Sequence, residues 1–172
     1  MKKYILRVSI ILFAFFYYNV QAQVFTFKVD GKFINAKITD AVIVNMGEID
    51  YLQIRAEADD KIVYLYCKVS AMKAELPAQL KFREHNHEKG ETPDSEIIWV
   101  PEGPDKPQWN SIKGETVVTQ HDPESKVISG TFEFVVEKAQ YSSKANAKKP
   151  SAEITSGIFS NVQYRVEENK EG

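Results

Sequence analysis

The sequence predicts an all-β protein, a single-domain antiparallel β-sandwich or flattened barrel of about ten short strands. Apolar residues recur at every second position through most of the chain, as they do in strands that bury one face. Turn-forming pairs such as Asp30-Gly31 and Asp59-Asp60 separate these runs. Because residues 23–165 show no helical periodicity, we assign this range to one β-domain and residues 166–172 to a polar C-terminal tail.

The first two strands are predicted to form a hairpin. Apolar and polar residues alternate in residues 25–29 and again in residues 34–38. Asp30-Gly31 lies between them and readily adopts the positive φ angles that a tight hairpin turn requires. The same alternation predicts further strands at residues 41–44, 51–57, 62–69, 76–82, 97–100, 115–120, 126–137 and 152–164.

Proline and glycine residues mark special positions within these strands. Pro77 lacks an amide N–H, so the strand at 76–82, with Leu76 facing inward, is expected at the edge of a sheet. Gly130 and Gly157 lie inside predicted strands, where glycine weakens pairing unless a bulge or a close backbone approach requires it. We therefore predict an architectural role for both glycines.

Residues 1–22 have the features of a secretory signal peptide. Basic residues near the start precede an apolar run at residues 8–18. The stretch Val20-Gln21-Ala22 then offers small residues at the −3 and −1 positions of a cleavage site. The run is shorter than the roughly 18 to 20 apolar residues of a spanning helix, so a retained membrane anchor is the weaker alternative. We expect the exported chain to begin near Gln23, with no membrane span in the mature chain.

The cysteine count predicts where the protein is located, and the charge balance limits the classes of partner that it binds. The single cysteine, Cys67, lies far from the cleavage point, so we expect no lipid anchor and a periplasmic or secreted location. Its inward position in the strand at 62–69 predicts a buried, inert thiol.

The chain has 22 Lys and Arg against 24 Asp and Glu, and removal of the leader makes it more acidic. This balance argues against nucleic-acid binding.

Three stretches of the sequence carry a resemblance to a known family: FTFKVDGKFINA at 25–36, GETVVTQHDPESKVISGTFEF at 114–134 and ITSGIFSNVQY at 154–164. They resemble an uncharacterised family of exported β-proteins from Bacteroidetes bacteria, a domain of unknown function found often in lipoproteins. The resemblance implies an exported all-β protein and implies no activity. The chain departs from the family in lacking the lipoprotein cysteine, which implies a location without a lipid anchor.

Two histidines, His85 and His87, lie in the stretch EHNHEKGE at residues 84–91. If the strand at 76–82 continued, both would face outward, and two imidazoles with a carboxylate would suit Zn²⁺ or Cu²⁺. Arg83 would share that face and repel a cation, and Gly90 marks a loop. We therefore interpret the stretch as a solvated loop, with a metal site as the alternative, and we predict no cofactor.

Recognisable catalytic motifs are absent from the sequence, so we predict a protein that is not an enzyme. Trp99 and Trp109 bracket a proline-rich loop, where flat rings are able to stack on a sugar or anchor a partner. The alternative is that both rings pack into the fold. We predict a binding or structural component of the cell envelope whose partner is an envelope protein or a glycan. A glycan-active hydrolase and a periplasmic metal-binding protein are the alternatives.

Overall fold

The structure is a computed structural model that describes residues 22–73, 75–85, 90–139 and 149–167. This part of the chain contains ten strands and one short helix. They are β1 (Val24–Val29), β2 (Lys32–Met46), β3 (Ile49–Ala58), β4 (Lys61–Lys68), α1 (Val69–Met72), β5 (Ala78–Lys81), β6 (Ser95–Val100), β7 (Trp109–Asp122), β8 (Val127–Lys138), β9 (Ser151–Gln163) and β10 (Arg165–Val166). The predicted all-β class is confirmed.

Eight of the strands form one closed antiparallel barrel in the order β1-β2-β3-β4-β6-β7-β8-β9. The ring closes because β1 pairs with β2 on one side and with β9 on the other. Two short strands lie outside the ring: β5 pairs with β7, and β10 pairs in parallel with β2. The sheet therefore curls on itself instead of forming the two packed layers of a sandwich, so the barrel alternative is the better description.

The connections divide between the two ends of the barrel. The β1–β2 and β3–β4 turns and the loop between β6 and β7 lie at one end, which we call the hairpin end. Helix α1, the β7–β8 turn and β10 lie at the other, which we call the helix end. At the hairpin end, Asp30 and Gly31 have φ angles of 47° and 78°, as the predicted tight turn requires.

Side chains fill the interior of the barrel. The inward residues of β1, β8 and β9 include Phe25, Phe27, Phe132 and Phe159, all at most 3% exposed. The rings of Phe25 and Phe132 lie 5.2 Å apart between centroids, and the ring of Phe27 lies edge-on to Trp99 at 5.5 Å. An eight-stranded barrel is just wide enough to be filled in this way. Any ligand of appreciable size must therefore bind at an end or on the outer surface.

Several strand boundaries differ from those predicted. The runs at 34–38 and 41–44 belong to one strand, β2, which is interrupted by a bulge between Ile38 and Asp40 that shifts the inward face by one residue. Strand β7 begins at Trp109, not at residue 115. Strand β5 begins at Ala78 and pairs with β7, so Leu76 lies before the strand. Leu76 is 45% exposed, and the prediction that it faces inward is wrong.

Both ends of the sequence lie partly outside the described residues. The predicted signal peptide falls on residues 1–21, which are not described, and on Ala22, which precedes β1. Val166, the first residue of the predicted tail, forms part of β10 and lies opposite Ile43 of β2. Within the described ranges, no helix combines the length and the apolar character that a membrane crossing needs.

Candidate binding site at the hairpin end

Trp99 and Trp109 lie opposite each other on β6 and β7, so the structure brings together the two predicted ligand-binding residues. Trp99 is only 4% exposed and packs edge-on against Phe27. Trp109 is half-buried and packs against the same core. The two rings therefore close the base of the β6–β7 hairpin and do not form an open platform for a sugar. Trp99 does contribute to the wall of a groove at this end of the barrel.

The hairpin-end groove has a volume of about 500 Å³ and lies between the β1–β2 and β3–β4 hairpins. Its apolar lining includes Val29, Ile34 and Trp99. The first two are partly buried and pack against the barrel core. The volume is within the range of roughly 300 to 1,000 Å³ that small-molecule sites occupy. The groove is therefore large enough to hold a small ligand or one unit of a polymer.

Phe33 is the most prominent side chain on the rim of this groove. It is 67% exposed, the largest exposed fraction among the large hydrophobic residues in the described part of the chain. Phe33 and Asn35 are two positions apart on β2 and are both exposed, so they lie on the same face of the strand. An aromatic ring beside a side-chain amide offers both a stacking surface and hydrogen-bonding groups.

The charged residues of the hairpin-end groove balance one another. Two carboxylates, Asp30 and Asp59, and two ammonium groups, Lys32 and Lys61, line it. One carboxylate oxygen of Asp30 accepts a hydrogen bond of 2.9 Å from the backbone amide of Glu153, which ties the first hairpin to β9. The formal charges of these four residues cancel, and the ammonium group of Lys61 also pairs with Asp60 at 3.0 Å. The groove therefore has no excess of positive charge, so it suits a neutral polar ligand better than an anionic one.

Among the described residues, two carboxylates have shifted pKa values: Asp60 lies in the β3–β4 turn, and Asp122 is the last residue of β7. A hydrogen bond from Lys61 lowers the pKa of Asp60, and hydrogen bonds from Ser125 and from the backbone of its turn lower the pKa of Asp122. A general acid in glycoside hydrolysis needs the opposite shift, because it must hold a proton near neutral pH. Neither carboxylate is therefore suited to act as a proton donor.

The histidines are in different surroundings. The ring of His85 is exposed, and its Nε2 atom lies 3.6 Å from Oε2 of Glu96. Strand β5 ends at Lys81, so the continuation of the strand toward His85 is not seen, and His87 lies outside the described residues. His121 is at the helix end, where its Nε2 lies 3.0 Å from the hydroxyl of Tyr164. In the described ranges, no three His, Cys, Asp or Glu residues are grouped as metal ligands.

The thiol of Cys67 is part of a buried polar cluster inside the barrel. The side chain is completely buried, and burial raises its pKa to about 12 against the weaker opposing effect of hydrogen bonds to Ser95 and Thr116. The hydroxyls of Ser95 and Thr116 are themselves 2.7 Å apart, and Ser95 also donates to the carbonyl of Tyr66. A buried, protonated thiol is a poor nucleophile, as the sequence predicted.

The chain matches none of the protein-family models, curated proteins or solved structures with which it was compared. The resemblance to exported Bacteroidetes proteins therefore stays a prediction. Sequence reasoning missed Phe33, although a signal for it exists. In the first hairpin the apolar alternation places residues 34, 36 and 38 inward, which leaves the phenyl ring at position 33 on the outer face.

Proposed function

We propose that the protein is an exported, non-catalytic component of the cell envelope that binds a glycan in the hairpin-end groove. The observation that carries the proposal is the exposed ring of Phe33 beside a polar groove with balanced charges. Sugars present apolar C–H faces that stack on aromatic rings and hydroxyl groups that pair with amides and charged side chains. The filled barrel interior supports a binding site at an end.

The export of the protein rests on the sequence of residues 1–22, which has the arrangement of a cleaved signal peptide. Export places the protein among envelope polymers, which are its most abundant potential ligands. The absence of a cysteine next to the predicted cleavage point favours a periplasmic or secreted protein without a lipid anchor. An envelope protein as the partner is the alternative that the binding experiment must distinguish.

The proposal is tested by titrating the purified protein with soluble peptidoglycan fragments while tryptophan fluorescence is recorded. Trp99 lines the groove, so occupation of the groove is expected to change its emission. The matched variants are Phe33→Ala and Ile158→Ala, which remove exposed apolar side chains that are 67% and 46% exposed, respectively. Both variants are expected to fold normally, because surface substitutions usually change stability little.

We expect saturable binding to the wild type and to Ile158→Ala, and binding about tenfold weaker to Phe33→Ala, which corresponds to about 1.4 kcal/mol. Equal affinity in all three proteins would place the ligand elsewhere. A lack of binding to any fragment, together with capture of a single envelope protein that depends on Phe33, would assign the groove to a protein partner.

A further inference from the structure

A second groove lies at the helix end, opposite the site of the proposed function. It has a volume of about 550 Å³ and is lined by residues from β2, α1, the segment before β5, the β7–β8 turn and β10. Its apolar lining includes Ile43, Val69, Met72, Leu76 and Val166. We call it the helix-end groove.

The apolar surface of the helix-end groove runs from a buried floor to an exposed rim. Met72 and Tyr164 are only 2% and 6% exposed, whereas Leu76 and Val166 are 45% and 49% exposed. Both rim residues are aliphatic and line the same groove. An alkyl chain placed there would remove this aliphatic surface from water, at about 25 cal/mol for each Å² that is buried.

The formally charged residues that line the helix-end groove, Lys73 and Lys126, are both basic. Within the described ranges, neither ammonium group forms an ion pair. The nearby carboxylate of Asp122 accepts hydrogen bonds from the amides of Glu124 and Ser125 and from the Ser125 hydroxyl. These hydrogen bonds hold the carboxylate in its turn and favour its charged form, so it keeps its negative charge beside the groove. The lining itself combines an apolar surface with two ammonium groups, whereas Asp122 lies outside the lining.

The backbone around Lys126 is fixed in place. Lys126 has a φ angle of 56°, and its carbonyl accepts a hydrogen bond of 2.9 Å from the amide of Tyr164. The side chain of Tyr164 pairs in turn with His121 across 3.0 Å. The β7–β8 turn is thus joined to the segment between β9 and β10, so this side of the groove needs little rearrangement to accept a ligand.

We propose that the helix-end groove binds a free fatty acid, with its alkyl chain on Met72, Leu76 and Val166 and its carboxylate paired with Lys73 or Lys126. A cationic amphiphile of the same length would meet the two lysines and be repelled. A preference for the anionic over the cationic amphiphile distinguishes a specific site from nonspecific adsorption on an apolar surface. The proposal does not depend on glycan binding at the hairpin end.

The proposal is tested by calorimetric titration of the purified protein with decanoate and, separately, with decyltrimethylammonium, both below their micelle-forming concentrations. The charge variant is Lys73→Gln/Lys126→Gln. Its matched control is Lys37→Gln/Lys113→Gln, which removes two exposed lysines that do not line this groove. A third variant, Leu76→Ser, removes an exposed aliphatic side chain from the rim without opening the core.

We expect one decanoate to bind per chain, with at least tenfold weaker binding to the charge variant and to Leu76→Ser. Binding to Lys37→Gln/Lys113→Gln and to Phe33→Ala is expected to equal that of the wild type. Three results would each overturn the proposal: no saturable heat with decanoate, equal affinity for decyltrimethylammonium, or unchanged affinity in the charge variant. Circular dichroism of each variant verifies that a loss of binding is not a loss of fold.

Discussion

Gly157 on β9 and Phe132 on β8 lie opposite each other, and the phenyl ring occupies the space that a β-carbon at Gly157 would need. Such a carbon would lie 2.5 Å from Cδ2 of the ring. Gly130 and Phe159 form the reverse pair, with a β-carbon at Gly130 only 2.6 Å from Cζ of the partner ring. Both glycines therefore have the architectural role that was predicted. Gly157 makes room for an aromatic ring of the core, and Gly130 makes room for a ring and for the backbone carbonyl of Val117, whose oxygen would lie even closer to the added carbon.

We predict that Gly157→Ala destabilises the protein by about 1 to 3 kcal/mol, the usual cost of adding volume to a packed core. The added methyl group must displace the ring of Phe132 from its stacked position against Phe159, where the centroids lie 6.4 Å apart. Urea unfolding followed by circular dichroism measures the change. Thr131→Ala is the control, because it alters an exposed position on β8, next to Phe132, and is expected to change stability little.

A double-mutant cycle tests the assigned cause of that destabilisation. In a Phe132→Leu background the side chain opposite Gly157 has no ring, so the added methyl group meets less resistance. We expect Gly157→Ala to cost at least about 0.5 kcal/mol less in this background than in the wild type, which is the scale of coupling between residues in contact. Strict additivity of the two substitutions would show that the strain arises from another neighbour.

Strand β8 shows how far sequence alternation can predict this fold. Its alternation is unbroken at Ile128, Phe132, Phe134 and Val136, and the structure buries all four as predicted. In β9 the inward face shifts after Ile154 and again after Phe159, because Ser156 and Asn161 take φ angles of 51° and 52°. Such bulges break the period of two, so alternation alone does not identify the inward residues beyond them.

Closure of the barrel depends on pairings between distant parts of the chain. Strand β1 lies opposite both its hairpin partner β2 and the last long strand, β9, where Val29 faces Ile154. Local patterns predict that strands exist but do not specify which distant edges meet, so the sandwich and the barrel were not separable from the sequence. The same limit applies to the site. Trp99 was predicted to bind a ligand because it flanks the proline-rich loop, but large aromatic rings are usually buried. In the described part of the chain, the ring that is exposed is that of Phe33.

The exported form of the protein is predicted to begin near Gln23 and to carry no lipid. Ala22 ends a small-residue cleavage pattern, and Cys67, the only cysteine, is too distant to accept an acyl group at the new terminus. Intact mass spectrometry of protein from the periplasmic and culture fractions measures the terminus and any modification. Recovery of a full-length or acylated chain would contradict both the signal peptide and the proposed location.

Zinc is predicted to leave the thermal stability of the protein unchanged. A metal raises stability only if it binds the folded state more tightly than the unfolded one. His85 is exposed and its ring already lies near the carboxylate of Glu96 on β6, so we expect no such preference. The comparison is between the wild type and a His85→Ala/His87→Ala variant, each titrated with Zn²⁺ by calorimetry. A saturable one-to-one heat in the wild type alone, with release of protons, would establish the metal site instead.

Cys67 is predicted to make the protein less stable at alkaline pH. Burial raises the pKa of its thiol from the ordinary value of 9.0 to about 12, so the unfolded chain loses this proton at a lower pH than the folded chain does. The stabilising contribution is complete below about pH 9 and falls as pH rises toward 12, by up to about 1.4 kcal/mol for each pH unit. Burial also raises the pKa values of Tyr51, Tyr66 and Tyr164, which adds to the alkaline loss.

A Cys67→Ala variant separates the thiol from the tyrosines, because all three tyrosines remain in it. Urea unfolding of both proteins between pH 8 and pH 10.5 should show the wild type losing about 1 to 2 kcal/mol more than the variant over this range. The variant is less stable at pH 8 because it leaves a small cavity, but only the difference in slope tests the thiol. Parallel pH profiles would mean that the thiol titrates at the same pH in both states, and would contradict its place in the buried cluster with Ser95 and Thr116.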